Sequence, residues 1–123
     1  GELAEYIDSN TPEDAVFFTP PKFGEFRYIA DRAIVVDFVA FPFQDDSMIE
    51  WYNRMVDCYG EFLLYGFDNI PELNRNYRET TDERFSELAQ KYHADYAILF
   101  HSAKTGYPVL FETKSYKIIQ IVQ

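Results

Sequence analysis

The chain reads as an α/β domain. The expected architecture is a three-layer sandwich whose mixed five-stranded sheet, three parallel strands plus a C-terminal antiparallel hairpin, carries helices on both faces. Three observations predict it. Val16-Phe17-Phe18, Ala33-Ile34-Val35-Val36 and Tyr96-Ala97-Ile98-Leu99-Phe100 are continuous apolar runs, as in parallel strands covered on both faces. Segments with apolar residues three and four apart alternate with them and read as helices. Finally, the strands over residues 109–112 and 116–122 are joined only by Thr113-Lys114-Ser115, which makes a hairpin.

Leu3, Ala4, Tyr6 and Ile7 define a first short helix, stopped before Pro12, because the residue preceding a proline is pushed from helical angles. Strand one covers residues 15–19 and ends at Pro20-Pro21, neither of which can donate to a ladder. A short helix or turn over residues 23–30, with Phe26 and Ile29 inward, leads to strand two over residues 33–38. Asp45-Asp46-Ser47 opens a longer helix, where acidic side chains suit the positive end of the dipole. Met48, Trp51 or Tyr52, Met55 and Tyr59 form its apolar face; Glu50, Asn53, a solvated Arg54 and Asp57 form the other, and Gly60 stops it. Residues 61–78, broken by Gly66 and Pro71, read as an irregular excursion with one helical turn. Thr80 and Glu83 match a capping box for a helix carrying Phe85, Leu88, Ala89 and Tyr92. Strand three covers residues 96–100, and Lys104-Thr105-Gly106 is a turn. The expected strand order is 2-1-3-4-5, with Val16, Phe18, Ile34, Val36, Ile98 and Phe100 in the core.

At 123 residues the chain fits one domain, 1–123, able to bury a core without metals or disulfides. A formal net charge of −10 repels phosphate backbones and no basic run overrides it, so nucleic-acid partners are disfavoured. Aromatics make up 19% of the residues, enough either to fill a small core with rings or to furnish a sugar- or partner-binding surface. Cys58 is the sole cysteine, read as a buried structural thiol. The lack of disulfides mildly favours a reducing compartment but does not exclude a periplasm or cell surface. No signal peptide opens the chain, and the longest apolar run falls far short of the ~20 residues of a spanning helix. Gly1 reads as a residue foreign to the natural protein, which is then expected to extend beyond both ends of this chain.

Ligands of open parallel sheets gather at the carboxyl ends of strands, beside a switch in strand order. Here that rim carries Thr19, Pro20, Pro21 and Lys22 after strand one, and His101, Ser102 and Lys104 after strand three. Strand two adds Asp37 and the Phe41-Pro42-Phe43 corner. Thr19, Lys22, Asp37, His101, Ser102 and Lys104 are therefore the candidate ligand-binding residues. An enzyme would build acid–base chemistry from Asp37, His101, Lys22 and Ser102; the alternative is an ordinary polar strand end. No catalytic residue is assigned. The glycines form neither a dinucleotide fingerprint nor a phosphate loop, and no G-x-S-x-G elbow or zinc spacing occurs. No cofactor or metal is expected: His93 and His101 flank a helix-to-strand turn, and Asp45-Asp46 with Glu50 reads as helix-start charge rather than a cation site. Arg27 and Arg32 flank the loop before strand two and read as structural ion-pair partners of Asp31, Asp37 or Glu25 rather than an anion site.

Thr11-Pro12-Glu13-Asp14-Ala15, Thr19-Pro20-Pro21, Phe26-Arg27, Arg32-Ala33-Ile34-Val35-Val36-Asp37-Phe38 and Phe41-Pro42-Phe43, with the later Leu88-Ala89-x-Lys91-Tyr92-x-Ala94-Asp95-Tyr96, carry a family resemblance. The chain resembles the soluble α/β domain that certain large bacterial membrane proteins hold outside the cytoplasm. There it follows a many-helix membrane region similar to that of lipid-linked-sugar glycosyltransferases and oligosaccharyltransferases. The resemblance spans nearly the whole chain and is weakest between residues 61 and 79. Its motifs are structural. The catalytic acid of such glycosyltransferases lies in a membrane-region loop, so the resemblance implies a non-catalytic extracytoplasmic accessory domain whose partner is the parent membrane region. Two alternatives stand beside it: a module binding a glycan or a lipid-linked sugar headgroup, and a small hydrolase or transferase.

Overall fold

The computed structural model describes residues 1–23, 32–37, 45–61 and 70–121, the side chains of Asp45 and Asp46 excepted. The expected turn with Phe26 and Ile29, the Phe41-Pro42-Phe43 corner and Arg27 lie outside the described residues. Helix α1 (Glu2–Asn10) precedes β1 (Val16–Phe18) and β2 (Ala33–Ile34). Then come α2 (Asp45–Tyr59), α3 (Ile70–Arg78), α4 (Asp82–Tyr92), β3 (Tyr96–Phe100), β4 (Val109–Glu112) and β5 (Tyr116–Gln120).

The strands form a mixed five-stranded sheet in the order β2-β1-β3-β5-β4. β1 is parallel to β2 and β3, and β5 is antiparallel to β3 and β4. The α/β sandwich is as expected, but the hairpin sits the other way round, with β5 inside and β4 at the edge. Ile118 and Ile119 of β5 are both fully buried, whereas Val109 of β4 is 41% exposed. Consecutive buried residues face opposite layers, so β5 needs cover on both faces and takes the interior.

Each sheet face has its own apolar layer. Phe18, Val36, Leu99 and Ile119 meet the helices α2, α3 and α4 through residues such as Met55, Leu73 and Leu88. Phe17, Ile98 and Ile118 meet Leu3 and Ile7 of α1 on the opposite face. Phe18, Val36 and Ile98 are buried as expected, while Val16, Ile34 and Phe100 are only half-buried. Val16 and Phe100 end their strands and Ile34 belongs to the edge strand, so each has one flank without cover.

Three helix features differ from the sequence expectation. Residues 70–78 form a regular helix, not an irregular excursion, with Leu73 and Tyr77 one turn apart and buried. Pro71 sits in its first turn, where a missing N–H costs nothing. The N-cap of α4 is Thr81, whose hydroxyl accepts from Arg84 N at 3.1 Å; Thr80 instead donates to the Asn76 carbonyl and finishes α3. Arg54 is not simply solvated: it donates to the Val35 carbonyl at 2.8 Å, pairs with Glu50 at 2.8 Å and lies over the Tyr92 ring.

Arg32 is buried and caps α1. Its Nε donates to Thr11 Oγ1, and Nη2 to the carbonyls of Ile7 and Thr11, at 3.0–3.2 Å. Both carbonyls end a helix, where the cation suits the negative end of the dipole; the Ile7 carbonyl also accepts from Thr11 N at 3.1 Å and from the Thr11 hydroxyl at 2.7 Å. Among the described residues, no helix is long and apolar enough to cross a membrane.

Candidate functional site

The parallel strands β2, β1 and β3 end along one sheet edge, and the expected rim residues follow from it. Thr19 lies just past β1 and is buried; Lys22 follows, exposed, with a left-handed φ of 52°. Asp37, His101, Ser102 and Lys104 are all exposed. The hairpin turn between β4 and β5 reaches the same edge, since Phe100 pairs with Tyr116 and His101 N donates to the Ser115 carbonyl at 2.9 Å. The His101 imidazole lies 3.9 Å from Glu112, with both side chains about half exposed. Glu112 belongs to β4, so His101 leans toward the hairpin and away from β2. Asp37, past the end of β2, lies two strand spacings to the other side, roughly 10 Å at the backbone.

Between these ends, at the β1–β3 switch, two phenols occupy the place where a ligand would meet the strand carbonyls. Tyr59, the last residue of α2, donates to the Thr19 carbonyl at 2.6 Å. Tyr77 of α3 donates to the Ile98 carbonyl at 2.6 Å, just beyond the last β1–β3 pair, Phe18 with Ala97. Their rings meet edge to face at 5.6 Å and both are fully buried, so burial pushes both hydroxyls well above the ordinary phenol range. A neutral phenol bonded to a carbonyl is a structural seal, and the switch point is filled by the fold's own side chains.

One strand away, α2 treats the sheet edge differently. Trp51 Nε1 donates to the Asp37 carbonyl at 2.9 Å, and Arg54 takes the Val35 carbonyl. Between β2 and α2 a groove of about 240 Å³ remains, lined by Val36, Asp37, Ser47, Glu50, Trp51 and Arg54. It joins a half-buried indole to carboxylates, a guanidinium and a hydroxyl, a set able to stack on and hydrogen-bond a small polar ring. Of its polar groups, only Asp37 was among the expected site residues. Glu50, Trp51 and Arg54, three and four apart, share a helix side; that spacing is the available signal, and the polar character of Glu50 and Arg54, which suits a solvent face equally well, hides it.

Farther along α2, Asp57 joins it to α4. The carboxylate accepts from Lys91 (2.8 Å) and Tyr92 (2.5 Å), with Arg84 at 3.5 Å. Partial burial raises its pKa, but the bonds from Lys91 and Tyr92 and the two cations outweigh that and hold it below the ordinary carboxylate value. Cys58 is buried, its thiol pushed up to about 12 by burial and then by the Asp57 charge, which makes it a poor nucleophile. Among the described residues, no three His, Cys, Asp or Glu side chains gather as metal ligands.

Residues 1–58 match a family model described as a domain of unknown function, DUF6798. Neither the curated proteins nor the solved structures returned a match.

Proposed function

We propose that this chain is a non-catalytic accessory domain of a multi-pass, glycosyltransferase-like membrane protein, held outside the cytoplasm in the periplasm or at the cell surface. The family resemblance supports the context. The observation that carries the non-catalytic reading is the sealed switch point. Tyr59 and Tyr77 occupy the strand carbonyls that an α/β enzyme uses at its ligand site. His101 leaning to Glu112, away from Asp37, also favours it over a hydrolase or transferase.

The test uses the full-length protein in intact cells, in a background free of other exposed thiols. Ser102→Cys places a thiol at an exposed position, while the native Cys58 is buried and silent. Labelling by a membrane-impermeant maleimide before lysis is the expected result. Labelling only after lysis, or a coding sequence with no hydrophobic spans, overturns the reading.

The groove favours a second reading, a sugar or glycolipid-headgroup module with Trp51 as its stacking ring. Of the other described aromatics, Phe17, Phe18, Tyr59, Tyr77, Phe85 and Tyr96 are buried and none lines the groove, so the aromatic excess lends it no further weight. A glycan panel showing no binding at millimolar concentration (~−4 kcal/mol) removes it.

A further inference from the structure

We propose that the groove between β2 and α2 selects a single sugar ring bearing a protonated amine, the amino-sugar end of a glycan or glycolipid headgroup. The inference rests on the second reading of the groove above and adds the size and charge of what it takes.

Size sets the first limit. At about 240 Å³ the groove falls below the roughly 300–1,000 Å³ of pockets for drug-sized ligands, so it takes one ring and not a chain of them. Trp51 supplies the stacking face. Its Nε1 is committed to the Asp37 carbonyl at 2.9 Å, which holds the indole in place without a ligand's help. The ring therefore offers a π face rather than a donor. That face suits both the apolar side of a pyranose and a cation.

The polar lining decides the charge. Arg54 is the one cation among the described lining residues, and its donors are spoken for. Nη1 goes to the Val35 carbonyl and Nη2 to Glu50, each at 2.8 Å, while Nε is buried. Arg54 thus presents no open fork of the kind that grips carboxylates and phosphates. Against this single guanidinium stand the carboxylates of Asp37 and Glu50, both exposed, with the Ser47 hydroxyl on the same groove. Arg54 takes only Oε1 of Glu50, whose side chain is 67% exposed, so the second oxygen is left to accept from a ligand. The lining is acidic and rich in acceptors. On a chain of net charge −10 the wider field draws in a cation and repels uronic acids and sugar phosphates. A neutral sugar meets the same acceptors but gains nothing from that field.

Trp51 is the sole tryptophan, so its fluorescence reports on the groove directly. The test titrates the 123-residue chain with the methyl glycosides of glucosamine, glucose and glucuronic acid at about pH 6, which keeps the amine protonated. The glucosamine glycoside should bind about fivefold more tightly than the glucose one. The glucuronic acid glycoside should bind most weakly. Added salt should shrink the advantage of the amine and leave glucose binding unchanged. Asp37→Asn and Glu50→Gln keep an acceptor oxygen and remove a charge. Each should lower affinity for the amino sugar about twofold without weakening glucose binding. Glu13→Gln, in the loop entering the opposite end of β1, removes the same charge elsewhere and should bind like the parent. Circular dichroism checks that each variant is folded. Equal binding of the amino and neutral sugars, tightest binding of the uronic acid, or an undiminished preference in both variants overturns the proposal and leaves the sugar reading standing. Ethanolamine bound as tightly as the amino sugar also overturns it, because the ring would then count for nothing. No binding of any of the three sugars at millimolar concentration removes the sugar reading itself, and this inference with it.

Discussion

At the β1–β3 switch the strand carbonyls are met by buried phenols in full apolar cover, whereas at β2 the same helix α2 leaves a groove between Trp51, Asp37 and Arg54. Both places lie on one sheet edge and both use side chains to satisfy carbonyls past a strand end. The difference is depth. Tyr59 and Tyr77 lie over the middle of the sheet, where neighbouring strands and α3 exclude water, so their hydroxyls have no other partner. Trp51 and Arg54 lie at the edge strand, where water can replace a lost bond. A strand end therefore signals a ligand site only after the fold's own claims on it have been counted.

The two places should differ most once a buried ring is removed. Tyr77→Ala or Tyr59→Ala leaves a large cavity between α2, α3 and the sheet and should cost about 3–5 kcal/mol in urea unfolding. A loss near zero would mean that the switch point is open and water-filled, and the non-catalytic reading would lose its main support.

Removing only the hydroxyl isolates the buried hydrogen bond. Tyr77→Phe and Tyr59→Phe each leave a buried carbonyl unpaired and should cost about 1–3 kcal/mol at neutral pH. Both phenols, and the Cys58 thiol, have folded pKa values above their ordinary ones. Their contribution is fully present below the unfolded values, near 8.5 for Cys and 10 for Tyr, and is lost as pH rises beyond them. Stability should fall steadily through the alkaline range, and more gently in the Phe variants.

Asp57 anchors the same helix from its wetter side. Its pKa is lowered, so its contribution is present above the ordinary value of about 3.9 and lost as pH falls below it. Lys91 and Arg84 are well exposed, so screening discounts the pair. Asp57→Asn should cost about 1 kcal/mol at pH 7 and flatten the acid limb of the stability profile. No change in that limb would show that the cluster contributes nothing to the fold.

The strands and most helices were legible because apolar runs and helical spacing report burial directly, as in residues 96–100 and Phe85, Leu88 and Ala89. The hairpin order was harder, although Ile118-Ile119 already marked β5 as covered on both faces. Pro71 misled because a proline breaks a helix interior but is tolerated in a first turn, and the register of the turn is invisible locally. The site was least legible. Thr19 and Asp37 were placed at the right edge, but what occupies their carbonyls comes from Tyr59 and Trp51, residues 40 and 14 positions away. Neither composition nor spacing encodes such a pairing.

The smallest expected effect is at the groove. Trp51→Phe keeps an aromatic ring and removes the indole N–H that meets the Asp37 carbonyl at 2.9 Å. That bond lies at the exposed edge, so water can take its place and the loss should stay within about 0.5–1 kcal/mol. The value should fall below that of Tyr77→Phe, because the Ile98 carbonyl is sealed from solvent and the Asp37 carbonyl is not. Urea midpoints at constant slope measure both on one scale. Equal losses would place Trp51 in the same buried seal as the phenols and close the groove as a binding site. A small stability loss together with weakened binding to any glycan the parent chain holds would instead assign the indole to recognition.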